Sequence, residues 1–298
     1  MERYKVIVPK LNVRKAPVTD FNDKSNIITT VSEGFELDLE EYFEVSNSSL
    51  GKWYSDGKGQ YYWADGLMKL TPRPTSALVN LPINLPENYK LGVDVSHHNE
   101  KLDWDAFKNI GVSFVYIKIS EGVGTRDVKA KENVLNALSR DLKVGYYHFC
   151  RPDSKNGGTI ESDASAEANE ALVIMKMLPN PHLPLVLDLE DQEHWDTPLQ
   201  PKDYLLWITT FINLITEKTG VAPIIYSRKE YLDRKLPKNH DLQNIKLWLS
   251  YYPVNPDYRK VGIPNGWKDW SLWQYTENGI LGNNTKIDVN IMKDDILL

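Results

Sequence analysis

The sequence has little cysteine and no long apolar run. Its 298 residues include one cysteine, Cys150, which excludes an internal disulfide and a cysteine-rich metal site. This residue follows an apolar segment, where we expect a buried, unreactive thiol. No segment approaches the ~20 consecutive apolar residues of a membrane span, and the N-terminal residues contain no apolar signal core. These absences predict a protein that does not insert into a membrane.

An excess of basic residues is also missing. Lysine and arginine number 35 against 41 aspartates and glutamates, a net charge of −6, whereas nucleic-acid binding typically needs a basic surface. The six histidines lack a zinc-binding spacing, because His97 and His98 are adjacent and His148 lies in an apolar strand pattern. We therefore expect no nucleic-acid partner, no metal and no cofactor. The acidic balance suits a neutral substrate.

Aromatic residues are abundant, with nine tryptophans and sixteen tyrosines. Most are expected in the core, because large rings bury well in any fold. Rings at the mouth of a cleft would instead stack on the flat faces of sugars.

A proline-marked segment divides the chain. Residues 71–90 contain four prolines and no sustained helical or strand period, which predicts a linker over residues 71–89. Before it, short alternating runs separated by glycines predict a small all-β barrel over residues 1–70. Those runs are 5–8, 27–31, 36–39, 53–54 and 61–64.

After the linker, strand patterns alternate with longer helical patterns, which is typical of a β/α architecture. The candidate strands are 91–95, 114–119, 144–149, 184–189, 222–226, 245–250, 271–275 and 286–289, and eight strands suggest a closed barrel. The candidate helices are 104–110, 130–140, 161–177 and 202–218. The links 251–270 and 276–285 are rich in Pro, Gly and Asn, which disfavour helices. We therefore predict an irregular barrel of about five βα units followed by bare strands, over residues 90–298.

Two carboxylates end the fourth of these strands. Strand alternation places Asp188 and Glu190 on one face, roughly 6–7 Å apart at ~3.3 Å per residue, a spacing that suits glycosidic bond cleavage. Asp94 ends the first strand, and Asp288 lies near the end of the eighth. In a closed barrel the first and eighth strands are neighbours. Because active sites of such barrels form at the C-terminal ends of the strands, we expect all four acids around one cleft. Their mutual repulsion would raise the proton affinity of at least one of them.

Residues 90–298 resemble the glycoside hydrolase family 25 lysozymes. The resemblance rests on Asp94, Val95 and Ser96 with His98 and Asn99, on residues 117–122, 145–149, 187–190 and 247–249, and on Trp273, Gln274 and Tyr275 followed by Asp288. It implies an irregular TIM-like (β/α)5β3 barrel that hydrolyses the β-1,4 bond between N-acetylmuramic acid and N-acetylglucosamine in peptidoglycan.

The same resemblance implies roles for the acids. Glu190 would protonate the leaving oxygen and later activate water. Asp188 would either attack the anomeric carbon or orient the substrate's own 2-acetamido group while that group attacks. Asp94 and Asp288 would tune the protonation of this pair and hold sugar hydroxyls.

Further substrate-binding residues are expected around the acids. The family similarity suggests a substrate-lining role for Tyr147, Tyr226 and Trp248, although a packed barrel core explains the same residues. Gln274 belongs to a quoted motif and is a further candidate. Lys118 and Glu121 are expected to lie beside the cleft, where an ion pair between them would equally be structural.

Residues 1–70 resemble the bacterial SH3-like family. The resemblance rests on residues 11–17 and 32–34, on Trp53 and Tyr54, and on residues 62–64. It implies a module that binds wall peptides, and the alternative is a domain that merely packs on its neighbour.

Two other functions remain open from the sequence. One is a peptidoglycan-binding protein without catalysis, and the other is a hydrolase of chitin-like polymers, which carry the same N-acetyl group. We expect a monomer that acts on peptidoglycan glycan strands. Its expected location is extracellular or the cell wall, reached by secretion or by phage-type release from the cytoplasm.

Overall fold

Antiparallel strands build the first of two units, residues 1–75, and a mixed α/β barrel builds the second, residues 76–298. The computed structural model describes residues 2–42, 51–69, 81–99, 101–191 and 199–293. Among the helices in these ranges, none combines the length and apolar character needed to cross a bilayer.

The first unit is a single sheet of seven strands in the order β3-β2-β6-β5-β4-β1-β7. The strands are β1 (Glu2–Val6), β2 (Lys10–Arg14), β3 (Ile27–Ser32), β4 (Glu36–Tyr42), β5 (Trp53–Ser55), β6 (Tyr61–Trp63) and β7 (Leu67–Lys69). Its core is formed by buried residues that include Tyr4, Val6, Leu11 and Leu39. Within the described residues no backbone pairing joins β3 to β7, so a closed, SH3-like barrel stays a prediction.

The second unit contains a closed barrel of eight strands, as predicted. In chain order these are β8 (Lys90–Val95), β9 (Val112–Glu121), β11 (Lys143–Phe149), β12 (Val186–Asp188), β13 (Ile224–Ser227), β14 (Leu247–Ser250), β15 (Leu272–Leu281) and β16 (Asn284–Met292). A short ninth strand, β10 (Thr125–Arg126), pairs with the end of β9. Neighbouring strands from β8 to β15 run parallel, whereas β16 is antiparallel to both β15 and β8.

Helices cover the outside of the barrel after each of its first five strands. They are α1 (Trp104–Asn109), α2 (Ala130–Leu138), α3 (Ile160–Lys176), α4 (Pro201–Thr219) and α5 (Lys229–Lys235). The Thr159 side chain caps α3 in a reciprocal pair with Ser162, and α4 begins at Pro201 and ends at the left-handed Gly220. Four of these helices match predicted ones; α5 was not predicted individually.

Two elements differ from the sequence-based expectation. The seventh barrel strand does not end at residue 275 but continues as β15 to Leu281, and the tight turn at Gly282 and Asn283 leads directly into β16. Residues 71–80 of the predicted linker lie outside the described residues. In the rest of the predicted linker, Leu81, Leu85 and Tyr89 pack against the barrel core. Residues 81–89 are therefore part of the second unit.

Aromatic rings fill the interior of the barrel, and two glycines make room for them. A Cβ at Gly92 would lie 2.2 Å from the Phe114 ring, and one at Gly145 would lie 2.2 Å from the Tyr116 ring. Both rings extend from β9, which lies between β8 and β11. The packed interior supports the strand ends that carry the site.

Candidate active site

All four predicted acids line one cavity of about 440 Å³ at one end of the barrel. Asp94 lies on β8, Asp188 ends β12, and Glu190 follows two residues later. Asp288 reaches the cavity by a different route from the one predicted. It lies within β16, not at its C-terminal end, and β16 runs antiparallel to β8, so that Asp288 pairs in register with Asp94.

Asp94 and Asp288 form a carboxyl pair that shares a hydrogen bond. Asp94 Oδ2 also accepts hydrogen bonds from Gln274 Nε2 and Asn290 Nδ2, both at 2.8 Å. Burial raises the pKa of Asp94, and those two amides partly oppose the rise. Burial and the charge of Asp94 raise the pKa of Asp288 to about 9. The pair therefore holds a proton at neutral pH.

Aromatic side chains orient the amides that hold Asp94. The Tyr226 hydroxyl donates to Gln274 Oε1 at 2.7 Å, and the Tyr252 hydroxyl donates to the same oxygen. The Trp248 indole nitrogen donates to Asn290 Oδ1 at 2.9 Å. Because both amide oxygens accept, both amide nitrogens face Asp94.

Asp188 and Glu190 line the same cavity as Asp94 and Asp288. Asp188 is buried, and its Oδ1 has no hydrogen-bond partner. Burial and the charge of Glu190 raise the pKa of Asp188 well above its usual range. Burial also raises the pKa of Glu190, against the opposing effects of the Arg228 guanidinium and the Tyr226 hydroxyl. Such a pair can hold one proton for donation and one charge for stabilisation.

Backbone hydrogen bonds fix this segment. The Asp188 carbonyl accepts from Cys150 N at 2.9 Å, and Leu189 N donates to the Tyr226 carbonyl at 3.0 Å. The Ser227 hydroxyl donates to the Leu189 carbonyl at 2.7 Å. The two carboxylates are thus held between β11 and β13, which limits their movement.

The predicted substrate-binding residues divide into two groups. Tyr147, Tyr226, Trp248, Lys118 and Gln274 line the cavity. Glu121 is not among the lining residues; its carboxylate pairs with Lys118 at 2.7 Å and also with Arg151. The predicted ion pair between Lys118 and Glu121 is therefore present. Tyr147 lines the cavity together with the acids, and burial and the charges of Asp94, Asp188 and Asp288 raise its pKa.

The cavity also contains residues that the sequence had not singled out as site residues. They are Ser96, His98, Asn99, Phe149, Arg228, Tyr252, Glu277 and Lys286, among others. Arg228 and Tyr252 follow β13 and β14, so the strand-end rule applied to the acids would have found both. Glu277 and Lys286 depend on the length of the β15–β16 hairpin, which the sequence pattern did not reveal.

A cluster of potential metal ligands lies outside the cavity lining. His148, Cys150 and Glu167 are fully buried, and their ligand atoms lie within 4.8 Å of one another, the one such group in the described parts of the chain. Both His148 nitrogens have hydrogen-bond partners: Ser120 Oγ at 2.8 Å and Glu167 Oε2 at 2.9 Å. Burial raises the pKa of the Cys150 thiol. His148 and Cys150 are buried, as expected, and the three side chains take part in a hydrogen-bond network.

A closed α/β barrel with two adjacent carboxylates in its cleft is the arrangement of a glycoside hydrolase. The chain belongs to glycosyl hydrolases family 25, whose family model matches residues 93–283.

Individual relatives agree with this assignment. Lysozyme M1 of Streptomyces globisporus is 28% identical over 194 residues, which cover 64% of this chain and 63% of that protein. The N,O-diacetylmuramidase of Arthroderma benhamiae is 24% identical over 207 residues, 66% of this chain and 80% of that protein. The structure of a family GH25 lysozyme from Aspergillus fumigatus is 25% identical with a TM-score of 0.57, covering 70% of this chain and 96% of that one. The chain thus spans less than two thirds of the length of Lysozyme M1.

Proposed function

We propose that the protein is a lysozyme that hydrolyses the β-1,4 bond between N-acetylmuramic acid and N-acetylglucosamine in peptidoglycan. The observation that carries the proposal is the cleft in which Asp188 and Glu190 lie together with raised proton affinities. Names of relatives that contain lysozyme or muramidase support the substrate. A TIM-like (β/α)5β3 barrel is supported by these names and by the element order, in which an α-helix follows each of the first five barrel strands and none is described after the last three.

Glu190 is the general acid and base in this proposal. Burial raises its pKa, which favours the protonated form that donates to the leaving oxygen. After departure of the first sugar, the same carboxylate accepts a proton from the incoming water. Arg228 and Tyr226 lower the pKa of Glu190, which favours the ionised carboxylate after the proton has been donated.

Asp188 is the partner that faces the developing positive charge. Its buried Oδ1, which lacks a hydrogen bond, is available either to attack the anomeric carbon or to accept the N–H of the substrate's 2-acetamido group. A 2-fluoro glycoside distinguishes the two roles, because only direct attack leaves a covalent sugar on Asp188 that mass spectrometry detects.

Asp94 and Asp288 tune this pair and hold sugar hydroxyls. Tyr147, Tyr226 and Trp248 form the wall against which sugar rings pack, and Lys118 and Gln274 contribute polar contacts at the same wall. Glu121 contributes indirectly, because its carboxylate forms an ion pair with Lys118 and thereby orients the Lys118 ammonium group.

The first unit is proposed to be an SH3-like module that binds wall peptides. A cavity of about 260 Å³ lined by Lys10, Phe21, Trp53 and Trp63 among others supports this role. The Trp53 indole nitrogen is buried without a hydrogen-bond partner, which leaves a donor near that cavity. The proposed location is extracellular or the cell wall, and the proposed state is a monomer.

Glu190→Gln tests the central assignment. We expect a loss of about 10²–10⁴-fold in the clearing of purified peptidoglycan, because general acid catalysis contributes that much, with an unchanged circular dichroism spectrum. Glu230→Gln is the matched control, since this exposed residue on α5 does not line the cavity and should clear at the wild-type rate. Near-normal turnover by Glu190→Gln would reject the role.

Two further measurements test the alternative functions. Mass spectrometry of the reducing ends of the products separates a muramidase from a chitin-type hydrolase. Binding of peptidoglycan without cleavage by the wild type would indicate a non-catalytic binding protein.

A further inference from the structure

Two cations line the acidic cleft without an ion pair. The cavity wall carries five carboxylates, Asp94, Asp188, Glu190, Glu277 and Asp288, and the cations Lys118, Arg228 and Lys286. Lys118 is already paired with Glu121. In the part of the chain that the structure describes, neither Arg228 nor Lys286 forms a salt bridge or a side-chain hydrogen bond. The Arg228 charge also acts on Glu190, but the N–H donors of both cations are available to a ligand.

Arg228 stands at the start of α5, immediately after β13. Two nearby cations on α5 have acidic partners: Lys229 pairs with Asp233, and Arg234 pairs with Asp191 at 2.5 Å. Arg228 instead lies over the Tyr252 ring, 5.9 Å from its centroid. Stacking on an aromatic ring orients a guanidinium while leaving its N–H groups free for a planar anion.

Lys286 occupies a bulge in β16. Gly279 pairs with Ile287 and Ile280 pairs with Thr285, so that Lys286 has no residue opposite it. Its φ of 55° lies in the left-handed region that residues other than glycine seldom adopt. Bulges of this kind redirect a side chain and often lie beside active sites. Here the bulge directs an exposed lysine to the cavity.

We propose that Arg228 and Lys286 recognise a carboxylate carried by the muramyl residue of the substrate, and so select muramyl glycans over neutral N-acetylglucosamine polymers. This inference rests on the proposed function. Even with Asp288 protonated, the ionised carboxylates of this wall disfavour an anionic substrate, so its binding needs local positive charge. A neutral chitin-like chain has no such need. Arg228 directly follows β13 and Lys286 lies on β16, with β14 and β15 between these strands, so the two cations reach the cleft from separate positions.

The carboxylate has two sources in peptidoglycan. In peptide-free glycan it is the lactyl group on the muramyl ring. In the intact wall the lactyl group is amide-linked, and the carboxylates belong to the attached peptide. Both present the same planar anion to a guanidinium or an ammonium group.

The test compares charged and neutral forms of one substrate. The full-length wild type, Arg228→Gln, Lys286→Gln and the double variant are assayed on a peptide-free muramyl tetrasaccharide and on its carboxyl methyl ester. A second pair of substrates carries the peptide with free or esterified carboxylates. Lys238→Gln is the control, because this exposed lysine does not line the cleft. Both forms depend on Glu190, so a change in its protonation cancels in the ratio of kcat/KM for acid to ester.

We expect that ratio to fall roughly three- to tenfold in each single variant and further in the double variant, mainly through KM, because an exposed charge pair contributes a modest energy. A fall confined to one substrate pair identifies the lactyl or the peptide carboxylate as the ligand. Equal losses on acid and ester, or no loss, would overturn the inference while leaving the proposed function intact. A wild type that cleaves neither form would instead refute the proposed function.

Discussion

The carboxyl groups of Asp94 and Asp288 show how backbone register creates a proton-holding site. Their strands are antiparallel neighbours, and the two residues are directly opposite each other. Two buried carboxylates at this separation cannot both ionise at modest cost, so one proton is retained between them. The amides of Gln274 and Asn290 donate to Asp94 and thereby favour Asp94 as the charged member. Asp288 is the protonated member at neutral pH.

This arrangement predicts a pH-dependent stability. An aspartate whose pKa rises to about 9 on folding keeps a proton that the unfolded chain loses above about pH 4. The contribution to stability is therefore complete below about pH 4 and is lost as the pH rises towards 9. Asp288→Asn removes this titration, because the amide can donate to Asp94 at every pH. Between pH 5 and pH 8 we expect the melting temperature of the wild type to fall by at least about 3 °C more than that of the variant.

Thermal unfolding followed by circular dichroism at several pH values provides the measurement. Asp141→Asn serves as the control, because this exposed aspartate lies outside the cavity and should keep the wild-type slope. Parallel curves for wild type and Asp288→Asn would contradict the shared-proton assignment.

Asp188 is expected to trade stability for catalysis. Its Oδ1 is buried without a hydrogen bond, which is unfavourable in the free protein. Asp188→Asn should lower kcat on soluble muropeptides by about 10²-fold or more, equivalent to ~3 kcal/mol, because it removes a preorganised negative charge. The melting temperature should stay the same or rise, since the change removes a buried carboxyl group whose ionisation is opposed by burial.

Stopped assays of product formation and a melting curve measure both effects. Asp191→Asn is a suitable control, because Asp191 lies three residues away on the surface and pairs with Arg234. A variant that loses activity together with its fold would show that Asp188 is structural.

The acidic residues of the site were easier to predict from the sequence than the amide side chains that donate hydrogen bonds to them. Asp94, Asp188 and Glu190 follow apolar strand patterns, so the strand-end rule located them. Asn290 was missed because its contact with Asp94 joins residues 196 positions apart, and no local pattern records such a contact. The role of Gln274 in orienting Asp94 was missed for the same reason.

Among the elements, β9 carries two aromatic rings that fit only because its neighbouring strands have glycines opposite them. Phe114 and Tyr116 point from β9 into the barrel, and glycines stand on β8 and β11 where side chains would collide with them. The resulting core holds β11 and β12 in register, with Tyr147 opposite Val186 and Phe149 opposite Asp188. Packing inside the barrel is thereby linked to the position of Asp188, the carboxylate proposed to act in catalysis.

Gly145→Ala is therefore expected to destabilise the protein by about 1–3 kcal/mol, because its Cβ would meet a buried tyrosine ring at 2.2 Å. Urea unfolding gives the free energy of unfolding directly. Gly262→Ala is the matched control, since its Cβ would meet only the flexible Lys229 side chain, at 3.2 Å. An equal effect of both changes would mean that backbone freedom, and not ring packing, determines the loss.

The long helices were predictable, whereas the short helix α5 was not. The predicted ranges 130–140 and 202–218 agree with Ala130–Leu138 and Pro201–Thr219 to within about two residues, because a sustained apolar period identifies both. Helix α5 has seven residues and buries only Tyr231 and Leu232, too few to define a period. The extension of β15 was missed because Thr276, Glu277, Asn278 and Gly279 have the composition of a turn.

In the molecule as a whole, the two units have separate cores. The core of the first unit is formed by residues such as Tyr4, Leu39 and Tyr62, and all the residues that line the cleft belong to the second unit. From the prolines of residues 71–90 the sequence predicts a linker over residues 71–89, and the two units divide between residues 75 and 76. It could not define whether the first unit closes, because the edge strand β7 has three residues and is not among the predicted runs.

Because the cleft is built within residues 76–298, removal of residues 1–70 should separate wall binding from catalysis. We expect the truncated protein to hydrolyse short soluble muropeptides at close to the wild-type rate, since its lining residues are all retained. Its co-sedimentation with intact walls should weaken by at least about tenfold, the effect of losing one module of a two-site binder. A full-length Trp63→Ala variant is the companion measurement, because this residue lines the proposed peptide cavity and its change leaves the second unit complete. Equal losses in both assays would show that the first unit supports the barrel and does not target it, because a targeting module adds affinity for the wall without contributing to the cleavage of a soluble fragment.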